Sequence, residues 1–354
     1  MTLPSILDHF QLHSDSAIIS RWGEGHIHET YLVETKDHHP DYILQKINGN
    51  VFRNIPGMMR NIEVICRHFR DKLAAMPGHN PDYEALTLVS TRQGNSWYED
   101  EEGGCWRMYV YIPDAVIHQK IADPAVAFEA GRAIGNFQAI LSDLEKSLVD
   151  TIPDFHNINY RISQYYQAKE NDPEKRLHAI SSEISFVEER FQAMRLYFEN
   201  LKEKAVLRAT HNDTKVNNVL FDKHNKALCL IDLDTVMPGY VHFDYGDALR
   251  TMANTALEDE QDLGKVQFNV PVYEAFTRGY LEEAGSFLNP DELAMLPYAP
   301  IYLTFIIGLR FLTDYLNGDV YFRIHHPDHN LIRSRVQFQL IKEIEKTLYS
   351  IIGD

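Results

Sequence analysis

Two periods of hydrophobicity divide the chain. Between about Ile18 and Ile112 the apolar residues fall in short runs, at 30–34, 42–47, 86–89, 96–99 and 106–112, separated by turn-forming residues; each has the length and makeup of a β-strand. One segment there follows another rule. From 51 to 73, Ile55, Met58, Met59, Ile62, Ile65, Cys66 and Phe69 recur at steps of three and four, which predicts a helix with one buried face. After Pro113 helical spacing takes over, at 124–144, 158–170, 173–201, 272–283 and 297–316. The pattern predicts an α+β fold of two lobes: a small antiparallel sheet with one helix in residues 1–112, and a larger, mainly helical lobe in 113–354. A chain of 354 residues exceeds what one hydrophobic core usually serves, so a cleft between the lobes is expected.

Charge narrows the functions open to such a chain. Acidic side chains outnumber basic ones 51 to 34, for a formal charge of −17, and no block of lysine and arginine occurs, which excludes nucleic acid and anionic membranes as expected partners. Residues 1–15 lack the basic start and unbroken apolar stretch of a secretory signal and begin like an acidic amphipathic helix, so a cytoplasmic location is expected. The apolar run at 299–309 is roughly half the ~20 residues a bilayer span requires and reads as a buried core helix. Cys66, Cys105 and Cys229 are odd in number and widely spaced, a pattern of reduced structural thiols and not of a disulfide framework or zinc site.

The candidate chemistry concentrates in His211-Asn212-Asp213-Thr214-Lys215-Val216-Asn217-Asn218. This fits H-x-D-x-x-x-x-N, the catalytic-loop spacing of protein kinases, with Asp213 as the base and Asn218 as a metal ligand. The spacing lets one loop aim a carboxylate at an acceptor hydroxyl while its far end reaches the nucleotide's metal. Beyond it, Val219-Leu220-Phe221, a polar turn at 222–226 and an apolar run at 228–231 form a hairpin pattern ending at Asp232. A hairpin returns the chain to its start, so Asn218 and Asp232 are expected side by side, an oxygen pair suited to Mg²⁺. As a plain polar surface loop, the segment would not need an apolar hairpin closed by an aspartate. Asn217 reads as a turn residue, Asp234 as either a second metal contact or a turn residue. Lys215 reads either as a solvated lysine or as a catalytic cation neutralising charge on the transferred phosphoryl group. In Phe243-Asp244-Tyr245-Gly246-Asp247 one carboxylate, Asp247 being the first choice, is expected to be buried and to accept catalytic-loop amides.

The nucleotide side is thinner. Gly23 and Gly25, in Trp22-Gly23-Glu24-Gly25-His26, would let backbone close over phosphates. In Tyr42-Ile43-Leu44-Gln45-Lys46 the position of the phosphate-holding strand lysine carries Gln45, while Lys46 would point to the opposite face unless the register is shifted; Glu63 on the helix is then a partner without a certain mate. Tyr111 and Ile112, before Pro113, stand where an interlobe hinge would read adenine through its backbone, although a core strand would look the same.

With these residues in place, the chain resembles the aminoglycoside phosphotransferase and choline kinase superfamily, which has a protein-kinase-like fold, and within it the bacterial N-acetylhexosamine 1-kinases. The likeness runs through GEGHIHETYLV, YILQKIN, HNDTKVNNVL, IDLDTVMPG, FDYGDALR, TALEDEQDL and RFLTDYLNGDVYF. It implies transfer of a phosphoryl group from ATP to the anomeric hydroxyl of N-acetylglucosamine or N-acetylgalactosamine. It further implies Asp213 as base, Asn218 and Asp232 as Mg²⁺ ligands, and His26, Arg310 and Tyr321 as sugar contacts. Gln45 in place of the lysine also fits that family. Read on its own, Arg310 sits in an apolar helical stretch where a guanidinium needs acceptors, either Asp314 four residues on or sugar hydroxyls. Tyr321 is open to a sugar contact or a core role. Two rivals remain: the same chemistry on an aminoglycoside or amino alcohol, whose cationic acceptor would want an acidic or aromatic pocket, and a nucleotide-binding pseudokinase, which Gln45 favours and the intact Asp213, Asn218 and Asp232 disfavour.

Overall fold

The computed structural model describes residues 2–12, 17–23, 27–36 and 40–352. After a short helix α1 (Leu3–Leu7), strands β1 (Ala17–Arg21), β2 (Glu29–Thr35) and β3 (Tyr42–Ile47) lead into helix α2 (Ile55–Ala75); then come α3 (Pro81–Glu84), β4 (Tyr98–Glu99) and β5 (Cys105–Val110). The strands form one antiparallel sheet in the order β1-β2-β3-β5-β4. Of the residues whose spacing predicts α2, Met58, Met59, Ile62, Ile65, Cys66 and Phe69 are buried, together with Asn61 and Leu73, while Ile55 is half-buried. Asn54 caps its start by accepting the Gly57 amide. The run at 86–89 does not become a full strand. It lies along β5 with the Val89 amide on the Met108 carbonyl and the Val110 amide on the Thr87 carbonyl, but makes only an isolated bridge at Leu88 before turning away.

The remainder is mainly helical: α4 (Pro124–Leu141), α5 (Ile158–Asn171), α6 (Ser181–Lys204), α7 (Val241–Met252), α8 (Val270–Ala284), α9 (Pro290–Met295), α10 (Ala299–Leu316) and α11 (His329–Ile352). Small strands sit among them: β6 (Val116–Ile117) pairs with the hairpin β8 (Val219–Phe221) and β9 (Ala227–Leu230), and β7 (Arg208–Thr210) pairs with β10 (Met237–Gly239). The expected single helix at 173–201 is broken near its start, where Asp172 and Lys175 take positive φ and the Asp172 carboxylate accepts the amides of Arg176 and Leu177, so α6 begins only at Ser181. Helices α3, α7, α9 and α11 lie outside the predicted spans.

Helices α4 and α8 approach so closely that only glycine fits. A Cβ on Gly131 would lie 2.2 Å from the Phe276 carbonyl oxygen, and one on Gly279 would lie 2.1 Å from that of Phe128. Together with α9, α10 forms a stretch long and apolar enough to cross a bilayer, but α10 is the centre of the helical core, with Leu303, Phe305, Ile306, Leu309 and Leu312 wholly buried. All three cysteines are buried and free.

Candidate active site

The catalytic-loop segment follows β7 and is held from below by α7. Asp244 is the anchor: its carboxylate accepts the amides of His211 at 3.0 Å and Asn212 at 2.6 Å and the side chain of Gln138 at 2.9 Å. This corrects the expectation for Asp247, which pairs instead with Arg250 at 2.9 Å. Both carboxylates lie on the same buried side of α7, but Asp244, in its first turn, meets the loop amides, whereas Asp247, about one turn further along, is taken by Arg250. Asn212 has a φ of 65°, a conformation asparagine tolerates, and its side chain donates to the carbonyls of Thr210 and Thr235. His156, fully buried, meets the Asn212 carbonyl through Nε2 at 3.1 Å, and burial pushes its imidazole down to about 3.

On this support Asp213 and Asn218 come together. The Asn218 side-chain nitrogen donates to the Asp213 carbonyl at 2.8 Å and to its Oδ2 at 3.3 Å, which turns the Asn218 oxygen away from Asp213. Lys215 is no solvated loop lysine: its Nζ donates to Asp213 Oδ2 at 2.9 Å. Burial disfavours the Asp213 anion, yet the charge and hydrogen bond of Lys215 outweigh it and hold the carboxyl below its usual range. The hairpin closes as expected, with Val219 opposite Leu230 and the Ile231 amide on the Asn218 carbonyl at 2.9 Å, so Asp232 follows directly beside Asn218.

Asp232 takes a left-handed φ of 63° at the head of the 3₁₀ turn Leu233–Thr235. Its carboxylate makes no hydrogen bond or ion pair among the described residues, and burial, then Asp234, raises its pKa. An uncompensated, half-buried carboxylate beside a free amide oxygen is a hard-oxygen donor set that fits a magnesium ion completed by phosphate and water. Oxygens of Asp232 and Asp234 and a ring nitrogen of His28 lie within 4.8 Å of one another. Both Asp234 oxygens are already committed, to the Arg107 guanidinium (Nη2 to Oδ2 at 2.9 Å, with Nη1 on Oδ1) and to His28 Nε2 at 2.5 Å. Because His28 Nδ1 accepts the Asn48 amide, its proton sits on Nε2.

On the sheet side, Gly23 has a φ of 73°, where a glycine is at ease, while Gly25 and His26 lie outside the described residues. Gln45 faces the interlobe side and is engaged there, accepting from Arg107 Nε at 2.9 Å and donating to Thr30 Oγ1 at 3.2 Å. Lys46 points to the opposite face, its ammonium 5.5 Å from the Trp106 ring centroid, so there is no shift of register to bring it to the cleft. Glu63 pairs with Arg67 on the surface of α2. The Tyr111 amide is taken by the Asp41 carbonyl at 2.8 Å, which leaves the Tyr111 carbonyl as that residue's backbone group for an outside partner; Ile112, next along, is buried.

On the other side, Asp314 is not the partner of Arg310. It accepts the amides of Val320, Tyr321 and Phe322 at 2.8–3.0 Å and the Asn330 side chain at 2.9 Å, forming the turn after α10. The Arg310 guanidinium lies instead among the rings of Phe155, Tyr321 and Phe322, 5.1–5.7 Å from their centroids, with no carboxylate partner among the described residues. Tyr321 is well exposed, so it fills no core. Arg161 bonds the Phe155 carbonyl at 2.7 Å, and burial and then Arg310 disfavour its charge.

Arg107, His28 and Arg161 escape sequence reasoning. An arginine inside the fully apolar run of β5 is a usable signal, because a buried guanidinium demands a built partner; nothing in the sequence distinguishes His28 from its neighbours.

A family model described as the phosphotransferase enzyme family, APH, matches residues 18–285. Among solved structures, the chain is similar to spectinomycin phosphotransferase bound to ADP and spectinomycin (11% identity over 98% of this chain and 97% of that one, TM-score 0.60). It is also similar to choline kinase from Cryptosporidium parvum (14% identity, 94% and 90% covered, TM-score 0.59) and to ethanolamine kinase from Plasmodium vivax (12%, 92% and 83%, TM-score 0.58). At such identities these likenesses speak for a shared architecture, the protein-kinase-like fold. The family match covers most of the chain and includes the whole catalytic loop and hairpin, and on that ground the protein belongs to the APH phosphotransferase enzyme family, enzymes that phosphorylate small molecules.

Proposed function

We propose that this phosphotransferase moves the terminal phosphoryl group of ATP to the anomeric hydroxyl of an N-acetylhexosamine, giving the sugar 1-phosphate. In this reading residues 1–112 hold the nucleotide, through Gly23, Gly25, Gln45 and the backbone of Tyr111 and Ile112, and residues 113–354 carry catalysis and the sugar site. Asn218 and Asp232 would hold Mg²⁺, which when bound neutralises phosphate charge. Asp213, ionised at neutral pH, takes the proton of the attacking hydroxyl; Lys215 leaves Asp213 Oδ2 for the transferred phosphoryl oxygens as negative charge gathers there. The base is poised because Asp244 fixes the loop backbone on one side and Asn218 bonds it on the other.

The single observation that carries the acceptor assignment is Arg310: a guanidinium without a carboxylate, walled by aromatic rings and within electrostatic reach of Arg161. Two positive charges repel the aminoglycoside and amino-alcohol cations, while a guanidinium suits hydroxyl and acetamido oxygens. His26 and Tyr321 complete the proposed sugar contacts. The test is a panel of N-acetylglucosamine, N-acetylgalactosamine, an aminoglycoside, choline and ethanolamine with ATP and Mg²⁺, followed by phosphorus NMR. Anomeric phosphate on an N-acetylhexosamine is expected; turnover of a cationic acceptor alone overturns the assignment.

A further inference from the structure

Gln45, at the position of a kinase's strand lysine, is bonded to an arginine of the neighbouring strand. Gln45 on β3 and Arg107 on β5 are directly opposed cross-strand partners, so their side chains leave the same face of the sheet, and Arg107 Nε donates to Gln45 Oε1 at 2.9 Å. The rest of the guanidinium reaches the turn after β9 and grips both oxygens of Asp234. Both side chains are 1% exposed. A guanidinium so buried cannot leave its partner without stranding two charges, so the fork is a fixed strut. It lands two residues beyond Asp232, in the 3₁₀ turn that Asp232 heads with a left-handed φ of 63°. His28 from the sheet adds a second bond to the same carboxylate.

We propose that Arg107 is a positioning residue for phosphotransfer: clamped to Gln45 on the sheet and to Asp234 on the hairpin side, it sets the turn that presents the Asp232 carboxylate to the nucleotide's metal. This rests on the reading of Asp232 as a magnesium ligand. It also gives Asp234 a role, as the receiver of the strut and not as a second ligand. The arginine itself is too enclosed to touch phosphate.

The test separates position from mere stability. Thermal melts and calorimetric titrations of ADP, with and without Mg²⁺, are run on the parent protein and on Arg107→Lys, Asp234→Asn and the paired Arg107→Met/Asp234→Asn, which strands no charge. The expected result is a paired variant that still melts cooperatively, binds ADP alone like the parent, and has lost at least tenfold of the Mg²⁺-dependent gain in affinity. Arg107→Lys, which keeps charge and loses the fork, should lose part of that gain. Parental Mg²⁺ dependence in a folded paired variant overturns the proposal. If the paired variant does not fold, Arg107→Lys and Asp234→Asn decide by the same titration, and unchanged Mg²⁺ dependence in both overturns it. Absence of Mg²⁺-dependent ADP binding in the parent would instead remove the proposed function, and the strut's role with it.

Discussion

The buried imidazole under the catalytic loop makes a sharp acid-stability prediction. His156 is 4% exposed, bonded through Nε2 to the Asn212 carbonyl, and held down to about 3 by burial, with Arg310 and Arg161 adding to it. A histidine in the unfolded chain titrates near 6.5. Since the folded value is the lower one, His156 contributes stability that is complete above about pH 6.5 and is lost as pH falls from there towards 3. At pH 5 the unfolded chain has taken up most of that proton and the folded chain has not, which costs about 2 kcal/mol relative to pH 8. His242, also wholly buried and pushed down to about 4 by burial, adds a similar loss. Buried carboxyls such as Asp244 and Asp247, raised by burial, act in the opposite sense, so the total slope does not isolate one histidine. A comparison does. His156→Gln keeps a donor for the Asn212 carbonyl and removes the titration, and its loss of stability between pH 8 and pH 5, measured by urea unfolding, should be smaller than the parent's by about 2 kcal/mol. Equal losses in the two proteins would refute the reasoning.

Other perturbations act on the site more directly. Asp244→Ala leaves the His211 and Asn212 amides without their acceptor and should cost at least about 3 kcal/mol in denaturant unfolding; Asp244→Asn should cost less. Asp232→Ala should weaken Mg²⁺-dependent nucleotide binding in calorimetry while the melting temperature stays close to the parent's, because that carboxylate bonds nothing in the fold. Arg310→Gln should raise KM for the acceptor tenfold or more with little change in KM for ATP. Gly279→Ala, which drives a methyl group into the Phe128 carbonyl, should destabilise by more than about 2 kcal/mol and leave the kinetics of the folded fraction unchanged.

What could be read without coordinates follows from how locally each feature is encoded. The hairpin between Asn218 and Asp232 was legible because a turn between two apolar runs fixes where its ends meet, and α2 because a single face of it is buried. Helix α7 was not, since its inward face carries His242, Asp244 and Asp247, polar residues that bond the Glu292 carbonyl, the catalytic loop and Arg250 in turn and so blur any hydrophobic period. The same limit favoured Asp247 over Asp244: two carboxylates one helical turn apart on the same face look alike in sequence, and only a loop brought in from elsewhere distinguishes them. Partners far apart in sequence were the least legible. Arg107 and Asp234, 127 residues apart, meet only because β5 packs against the turn after β9, and Asp314 seemed a natural mate for Arg310 only because they lie one helical turn apart.

The most direct test of the phosphotransfer mechanism is Asp213→Asn in single-turnover transfer from ATP to N-acetylglucosamine, paired with calorimetric binding of ADP and Mg²⁺ to the same protein. The asparagine fills the same space but accepts no proton, so nucleotide binding should stay near the parental value while transfer falls by at least a thousandfold, roughly the share a positioned base contributes. Transfer at close to the parental rate, with binding intact, would contradict the role of Asp213 and with it the account of the site.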